Sequence, residues 1–573
     1  MGLQSMHSIG GIDVAFRPAN HNLKPWLSFE HAVQVLPKGW TKAPGRRPLP
    51  EDIVFEKDIP VPMRDGTVIR VDVFRPPASE PVPALLAWSP YGKQGNAGVP
   101  RDWTSDLEKF EALDPAEWCP RGYAIVNVDP RGVGDSEGDI FTIGTQEGRD
   151  GYDTVEHIAA LPWCNGSVGF MGNSWLAVSQ WFIAAERPPH LKAIAPWEGF
   201  SDLYRELICR GGIPNPFFFD YRSQGYCGKY QLEDMCAMIR KDALWNGYWA
   251  DKRARFRDIE VPMYVLASFS SGIHTEGSLR GLRIHHTQEW HDIYQKSSND
   301  DLQKFFDKYL RGLDNDWENT PRVRHSLLGY TSPSIVNRPD VAYPPPVKHT
   351  TLFLSCSDKT LQPDIPQSGS TDYQSESWDE GAGFTYKFNT CTELVGFSRA
   401  TLYMSCADTD DMDVYVMIRK LDANGRPLLH MNIPLESFPP RTKDSDVPDT
   451  NIFKYVGPNG RLRASHRKTA QDPALTPEQS KVLYPADVWH PHDSEDKVSP
   501  GTIVRLEIPL WPSGMIFQAG EALRLEIKGR DGILPEFPAL DRVPTNLNRG
   551  RHVVHCGPEH PSSIIVPLVD SSL

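Results

Sequence analysis

Val168-Gly169-Phe170-Met171 reads as an apolar strand, and it runs straight into Gly172-Asn173-Ser174-Trp175-Leu176-Ala177-Val178-Ser179-Gln180-Trp181, which begins a helix. A serine on so sharp a strand-to-helix turn stands exposed above the sheet, and small residues must flank it because the turn crowds the backbone. The turn also lies at a helix N-terminus, whose backbone N–H groups stabilise a developing oxyanion. The chemistry this implies is acyl transfer with Ser174 as nucleophile. Taken alone, G-x-S without a second glycine is a weak pattern, since serines follow glycines in many turns. An acyl-transfer triad further requires a histidine to accept the serine proton and an acid to orient that histidine.

The elements around Ser174 are those that position such a serine. From about Ile53 to Glu198, short β-branched runs alternate with helical patterns, the rhythm that yields a mostly parallel sheet. Val68-Ile69-Arg70-Val71-Asp72-Val73-Phe74 alternates as a strand, whereas Ala84-Leu85-Leu86-Ala87-Trp88 and Ala124-Ile125-Val126-Asn127-Val128 suit strands buried on both faces. From about Phe200 to Arg257 the pattern turns to aromatic and charged helical segments, as in a cap inserted over the sheet. Met263-Tyr264-Val265-Leu266-Ala267 resumes the strand pattern, and a helix around Leu302 to Leu310 closes it. Beyond the linker at Tyr343-Pro344-Pro345-Pro346, strand signals recur about every ten residues with few helical patterns, which reads as an all-β sandwich. The expected organisation is an α/β-hydrolase domain over residues 1–199 and 261–330, a helical cap over 200–260, and a jelly-roll-like β-sandwich over 331–573.

The 573 residues exceed what one core ordinarily supports, so two or three domains are expected. With 39% hydrophobic and 23% charged residues the chain has the composition of an ordinary globular protein. Its net charge of -14 argues against nucleic acid and against an anionic membrane surface as partners. No secretory signal and no apolar run of about 20 residues is visible. The nine cysteines are odd in number and lack C-x-x-C spacing, which reads as free thiols in a reducing compartment. A cytoplasmic protein is expected. No cofactor is implied: P-loop and dinucleotide patterns are absent, and the adjacent His285 and His286 would diverge on a strand rather than share a metal.

Asp129-Pro130-Arg131-Gly132-Val133-Gly134-Asp135-Ser136-Glu137-Gly138, Trp163-Cys164-Asn165-Gly166, Trp88-Ser89-Pro90-Tyr91-Gly92-Lys93 and Ala195-Pro196-Trp197 together resemble the cocaine esterase and X-Pro dipeptidyl-peptidase family of α/β-hydrolases. The D-x-R-G-x-G-x-S-x-G run matches at every fixed position. The G-x-S-[YW]-x-G elbow matches except at the last, where Ala177 stands. The resemblance continues through Asp411-Met412-Asp413-Val414, Leu462-Arg463-Ala464-Ser465-His466-Arg467 and Phe517-Gln518-Ala519-Gly520, so it spans nearly the whole chain from Ile53. It implies that Ser174 is the nucleophile, that the backbone N–H of Trp175 is one oxyanion donor and that the Tyr91 phenol is the other. It also implies that the sandwich walls the active-site cleft. Asp129 and Arg131 are expected to brace loops rather than to take part in chemistry.

Two departures bear on the triad. The acid is expected in a segment like S-F-S-D, but the matching stretch is Ala267-Ser268-Phe269-Ser270-Ser271-Gly272, with Ser271 in its place. Glu276, Glu289 and Asp292 lie nearby as substitutes. Leu282-Arg283-Ile284-His285-His286-Thr287-Gln288-Glu289-Trp290 resembles the family branch in which a strand ends in a histidine, which implies His285 as general base with His286 in reserve. His274 is given a structural role. The segment between Gly277 and the His285 strand is also shorter than in relatives, which places His285 at risk of lying away from Ser174.

Three functions fit these residues. The first is a hydrolase of an ester or amide bond in a small molecule or short peptide, acting through a Ser174 acyl-enzyme. The second is an acyltransferase on the same scaffold with an alcohol or amine acceptor, for which Trp175, Trp197, Phe217, Phe218, Phe219 and Tyr221 are candidate linings of a water-excluding pocket. The third is a non-hydrolytic binding protein with a degenerate triad. A small-molecule substrate is the expected partner. A homo-oligomer is left open.

Overall fold

The computed structural model describes residues 7–21, 31–95, 99–280, 284–285, 290–433, 435, 438, 441–474, 488–543, 546 and 548–570. The N-terminal half is built on an eleven-stranded sheet. Its strands are β1 (Ala32–Leu36), β2 (Ile53–Pro62), β3 (Val68–Arg75), β4 (Val82–Trp88), β5 (Ala124–Asp129), β6 (Cys164–Asn173), β7 (Leu191–Trp197), β8 (Val265–Leu266), β9 (Ile284–His285), β10 (Val323–Leu327) and β11 (Ile335–Asp340). They lie in the order β11-β10-β9-β8-β7-β6-β4-β5-β3-β2-β1. Every pairing from β5 through β4, β6, β7, β8 and β9 to β10 is parallel, and the flanking strands run antiparallel.

Alternation along the central strands builds two cores. Leu86, Trp88, Val126, Val128, Val168 and Phe170 face one layer, while Leu85, Ile125, Met171, Ala193 and Ala195 face the other. The first layer contains helix α1 (Thr145–Ala159) and helix α2 (Trp175–Ala185). α2 is buried along its whole length and apolar on every side but for Ser179 and Gln180, whose side chains bond the Leu176 carbonyl, so it is a core helix rather than an amphipathic one. α1 packs on it through two glycines. A Cβ on Gly148 would stand 2.7 Å from the Phe182 carbonyl oxygen, and one on Gly151 would stand 2.3 Å from Ile183 Cγ1. The opposite layer holds α5 (Lys296–Arg311), which presents Leu302, Phe305, Phe306 and Leu310 to the sheet at helical spacing and stops at Gly312 in the left-handed conformation.

Between β7 and β8 the chain forms short helical pieces, among them α3 (Phe217–Arg222), which lie on the α1 and α2 side. The segment Phe16–Pro18 adds an antiparallel strand to Gln231–Glu233 of this insertion. The N-terminal extension is therefore part of the same layer. As expected, Arg131 is structural. It makes two 2.7 Å hydrogen bonds to Asp150 and an ion pair with Asp65, while Asp129 faces Lys109.

The C-terminal half is all β. Its long strands β12 (Thr392–Cys406) and β14 (Val504–Phe517) pair antiparallel over most of their length, as do β13 (Asp413–Leu421) and β15 (Ala522–Lys528). They enclose a separate core that includes Leu402, Val416, Leu506 and Leu525. This half contacts the first at two places that matter for the site. Asn451 donates to the Ser270 carbonyl at 3.0 Å, and Arg210 of the insertion donates to Asn459 Oδ1 at 2.7 Å. One sequence expectation is corrected here. Cys356 and Cys556, 200 positions apart, are joined as a disulfide, whereas Cys119, Cys164, Cys209, Cys227, Cys236, Cys391 and Cys406 are free. No spacing pattern announces such a pair, because folding alone brings the two residues together.

Candidate active site

Ser174 follows β6 with φ 59° and ψ -123°, a strained conformation for a residue with a side chain. The sequence permits it. A Cβ at Gly172 would stand 2.4 Å from Leu176 Cβ, so only glycine fits before the turn. Ala177, where the elbow pattern has its second glycine, is tolerated because its neighbour across the turn is Gly199. A Cβ there would meet Ala177 Cβ at 3.0 Å, so the crowded pair keeps one methyl group instead of two. The Ser174 N–H donates to the Trp197 carbonyl at 3.1 Å and the Asn173 N–H to the Glu111 carbonyl at 3.1 Å, which fixes the turn to β7 and to the loop after β4.

Among the described residues, the histidine that meets Ser174 is His274. Its Nε2 lies 3.2 Å from Ser174 Oγ, and its Nδ1 lies 3.2 Å from Ser271 Oγ, which also accepts the His274 backbone N–H at 3.2 Å. This differs from the structural role the sequence reading gave His274. The ring is placed by helix α4 (Thr275–Arg280), which starts at the next residue. Thr275 Oγ1 bonds the Ser268 and Ser271 carbonyls at 2.7 Å each, folding the Phe269–Ile273 turn back toward the elbow. Ser278 Oγ accepts the Gly199 N–H at 2.8 Å and holds α4 to the end of β7. His274 is 7% exposed, stacked over Phe200, and burial lowers its pKa to about 3. It is therefore a neutral imidazole at ordinary pH.

Of the proposed acids, Glu276 pairs with Arg280 at 2.7 Å, and Asp292 belongs to a 3-10 turn over Trp290–Tyr294. His286 and Glu289 lie outside the described residues, as does the side chain of His285. The His285 backbone occupies β9, opposite Leu266 and Arg324. The signal that could have pointed to His274 was its place three residues after Ser271, at the start of a helical pattern.

Trp175 is the first residue of α2, where a backbone N–H has no acceptor within the helix. Tyr91 projects from the loop after β4, its ring edge-on to Trp175 with centroids 6.4 Å apart and the Arg222 guanidinium of α3 5.4 Å from its centre. Burial and then the Glu111 carboxyl push the phenol up to about 12, with Arg222 opposing, so it is a protonated donor. The loop is braced from beneath by Lys109, which donates to the Gly92 carbonyl at 2.6 Å and to the Val128 carbonyl at 2.9 Å. A cleft of about 260 Å³ opens beside Gly272 and Ile273, bounded by Phe217, Phe218 and Arg210 on the insertion and by Leu534 and Glu536 on the sandwich. Phe217 and Phe218 thus line it, whereas Trp197 and Phe219 are buried in the cores, and Tyr221 packs on Phe537. Among the described residues no group of three or more His, Cys, Asp or Glu is placed to hold a metal ion, and no helix is long and apolar enough to cross a membrane.

Residues 65–233 match the X-Pro dipeptidyl-peptidase (S15) family, and residues 315–565 match the X-Pro dipeptidyl-peptidase C-terminal non-catalytic domain. The cocaine esterase of a Rhodococcus strain is 39% identical over 148 residues, a stretch covering 26% of this chain and 24% of that enzyme. The crystal structure of a CocE/NonD family hydrolase from Staphylococcus aureus superposes with a TM-score of 0.80 at 30% identity, covering 91% of this chain and 94% of that one. An α-amino acid ester hydrolase shares the fold, with a TM-score of 0.65 at 14% identity over 93% of this chain and 98% of that one. With the elbow, the two-domain architecture and both halves matched, the chain belongs to the CocE/NonD family of α/β-hydrolases, the family of serine hydrolases that includes cocaine esterase and the X-Pro dipeptidyl-peptidases.

Proposed function

We propose that this protein cleaves an ester or amide bond of a small molecule or short peptide through an acyl-enzyme on Ser174, with His274 as the general base. The observation that carries this reading is the 3.2 Å approach of His274 Nε2 to a serine oxygen held on a strained elbow. Ser174 Oγ attacks the carbonyl carbon as its proton passes to His274 Nε2. The carbonyl oxygen becomes an oxyanion that accepts hydrogen bonds from the Trp175 N–H and the Tyr91 hydroxyl. Collapse breaks the bond to the leaving alcohol or amine, which takes the proton from the imidazolium. Water then attacks the acyl carbon, giving its proton to His274, and the second collapse releases the acid and restores Ser174.

The names of the relatives, esterases and dipeptidyl-peptidases, favour acyl chemistry. Ser271 in place of a carboxylate favours slow turnover. A hydroxyl facing Nδ1 supplies no charge to stabilise the imidazolium. It also accepts from or donates to the ring equally well, so it does not fix the tautomer that leaves Nε2 free for Ser174. A fluorophosphonate probe tests the reading directly. It is expected to label the native protein and not Ser174→Ala, and labelling that persists in the variant moves the nucleophile elsewhere.

A further inference from the structure

We propose that Glu147 is a positioning residue that ties both halves of the oxyanion hole to a single carboxylate oxygen. The inference rests on reading Trp175 and Tyr91 as the oxyanion donors. Glu147 stands in the first turn of α1, 5% exposed, beneath the elbow. Its Oε1 accepts the Trp88 indole N–H at 2.8 Å and the Trp175 indole N–H at 3.0 Å. Trp175 is the residue whose backbone N–H faces the reacting carbonyl. Trp88 ends β4, three residues before Tyr91, so its indole anchors the root of the loop that carries the phenol. The other oxygen, Oε2, is buried without a hydrogen-bond partner among the described residues. Both indoles therefore converge on one atom, and a displacement of that atom moves both donors together. A weaker tie runs the same way: Ser179 Oγ, on α2, shares its one proton between the Leu176 carbonyl at 3.1 Å and the Trp88 carbonyl at 3.3 Å.

Burying a carboxylate is costly, and α1 is already seated on α2 by the close approach at Gly148 and Gly151. Its position at the N-terminus of α1 offsets part of that cost through the helix dipole. What the carboxylate adds is a common reference point for the end of β4 and the start of α2, which share no other side-chain acceptor in these hydrogen bonds. A donor displaced by about 1 Å loses on the order of 100-fold in rate, which sets the scale of the expected effect.

The test measures kcat and KM for p-nitrophenyl acetate with Glu147→Ala, Glu147→Gln, Tyr91→Phe and the Tyr91→Phe/Glu147→Ala double variant, with thermal unfolding followed for each. Glu147→Ala is expected to lose about 100-fold in kcat with KM within about twofold. Glu147→Gln, which keeps a carbonyl oxygen at Oε1, is expected to stay within about fivefold of the native kcat. In the Tyr91→Phe background the loss from Glu147→Ala is expected to shrink to about tenfold or less, because one of the two donors it positions is already gone. Should Glu147→Ala fail to fold, Trp88→Phe removes only one indole N–H. Its kcat loss of about tenfold is expected to vanish in Tyr91→Phe. Additive losses in either cycle, or a Glu147→Gln variant as slow as Glu147→Ala, overturn the proposal. If Tyr91→Phe by itself leaves kcat unchanged, the oxyanion reading falls, and this proposal falls with it.

Discussion

Replacing Ser271 by aspartate should turn a weak base into a strong one. In the native protein His274 Nδ1 lies 3.2 Å from the Ser271 hydroxyl, its one hydrogen-bond partner among the described residues, and burial holds the imidazole at a pKa of about 3. A carboxylate there has room, because a cavity of about 10 Å³, close to the space one water needs, borders Ser271 on the side of Asn451 and Asn459. A negative charge about 4 Å from the ring is worth roughly 4 kcal/mol at an effective dielectric of about 20. At about 1.4 kcal/mol per unit this moves His274 most of the way back to the ordinary histidine range. The carboxylate also accepts only, so it fixes the tautomer with the Nε2 lone pair on Ser174. Ser271→Asp is therefore expected to raise kcat on a chromogenic ester by about 100-fold, below the roughly 10⁴-fold that separates a histidine with its aspartate from one without.

The pH profile carries the same signature. The native enzyme should show no acid limb near pH 6.5, since its histidine is already neutral there, whereas Ser271→Asp should lose activity as pH falls through the restored pKa. Stability follows with a definite sign. The unfolded chain protonates this histidine below pH 6.5 and the folded one only near 3, so His274 makes folding less favourable as pH falls through that window, an effect Ser271→Asp should reduce. A folded Ser271→Asp variant with unchanged kcat and an unmoved pH profile refutes the assignment of His274 as a base oriented through Nδ1.

Tyr91→Phe is expected to lower kcat by about 100- to 1000-fold with KM nearly unchanged, and a change confined to KM would make Tyr91 a pocket lining instead. His274→Ala should cost about 100-fold or more in kcat while His285→Ala leaves kcat within about threefold; the reverse result on the same ester assay returns the base to His285.

Much of the architecture was legible in the chain because it depends on local pattern. The parallel sheet followed from continuous apolar runs such as Ala84 to Trp88, and the elbow from a glycine-serine turn between a strand and a mostly apolar helix. The all-β half followed from strand signals at short spacing. These features are decided by residues close in sequence, whose periodicity and turn chemistry are visible without a fold. Ala177 looked like a flaw in the elbow until Gly199, from the end of the next strand, was seen to make room for its methyl group. The choice of histidine was of another kind. His274 reaches Ser174 across 100 positions because α4 begins just after it and Thr275 ties the preceding turn, and no spacing within the chain records that distance. Cys356 with Cys556, and Glu147 between Trp88 and Trp175, are likewise pairings between strands and helices remote in sequence. The sequence by itself determined which elements form and where the elbow serine stands. Only the tertiary structure decided which distant side chains meet it, because contacts between elements are set by how their faces pack and not by the pattern within any one of them.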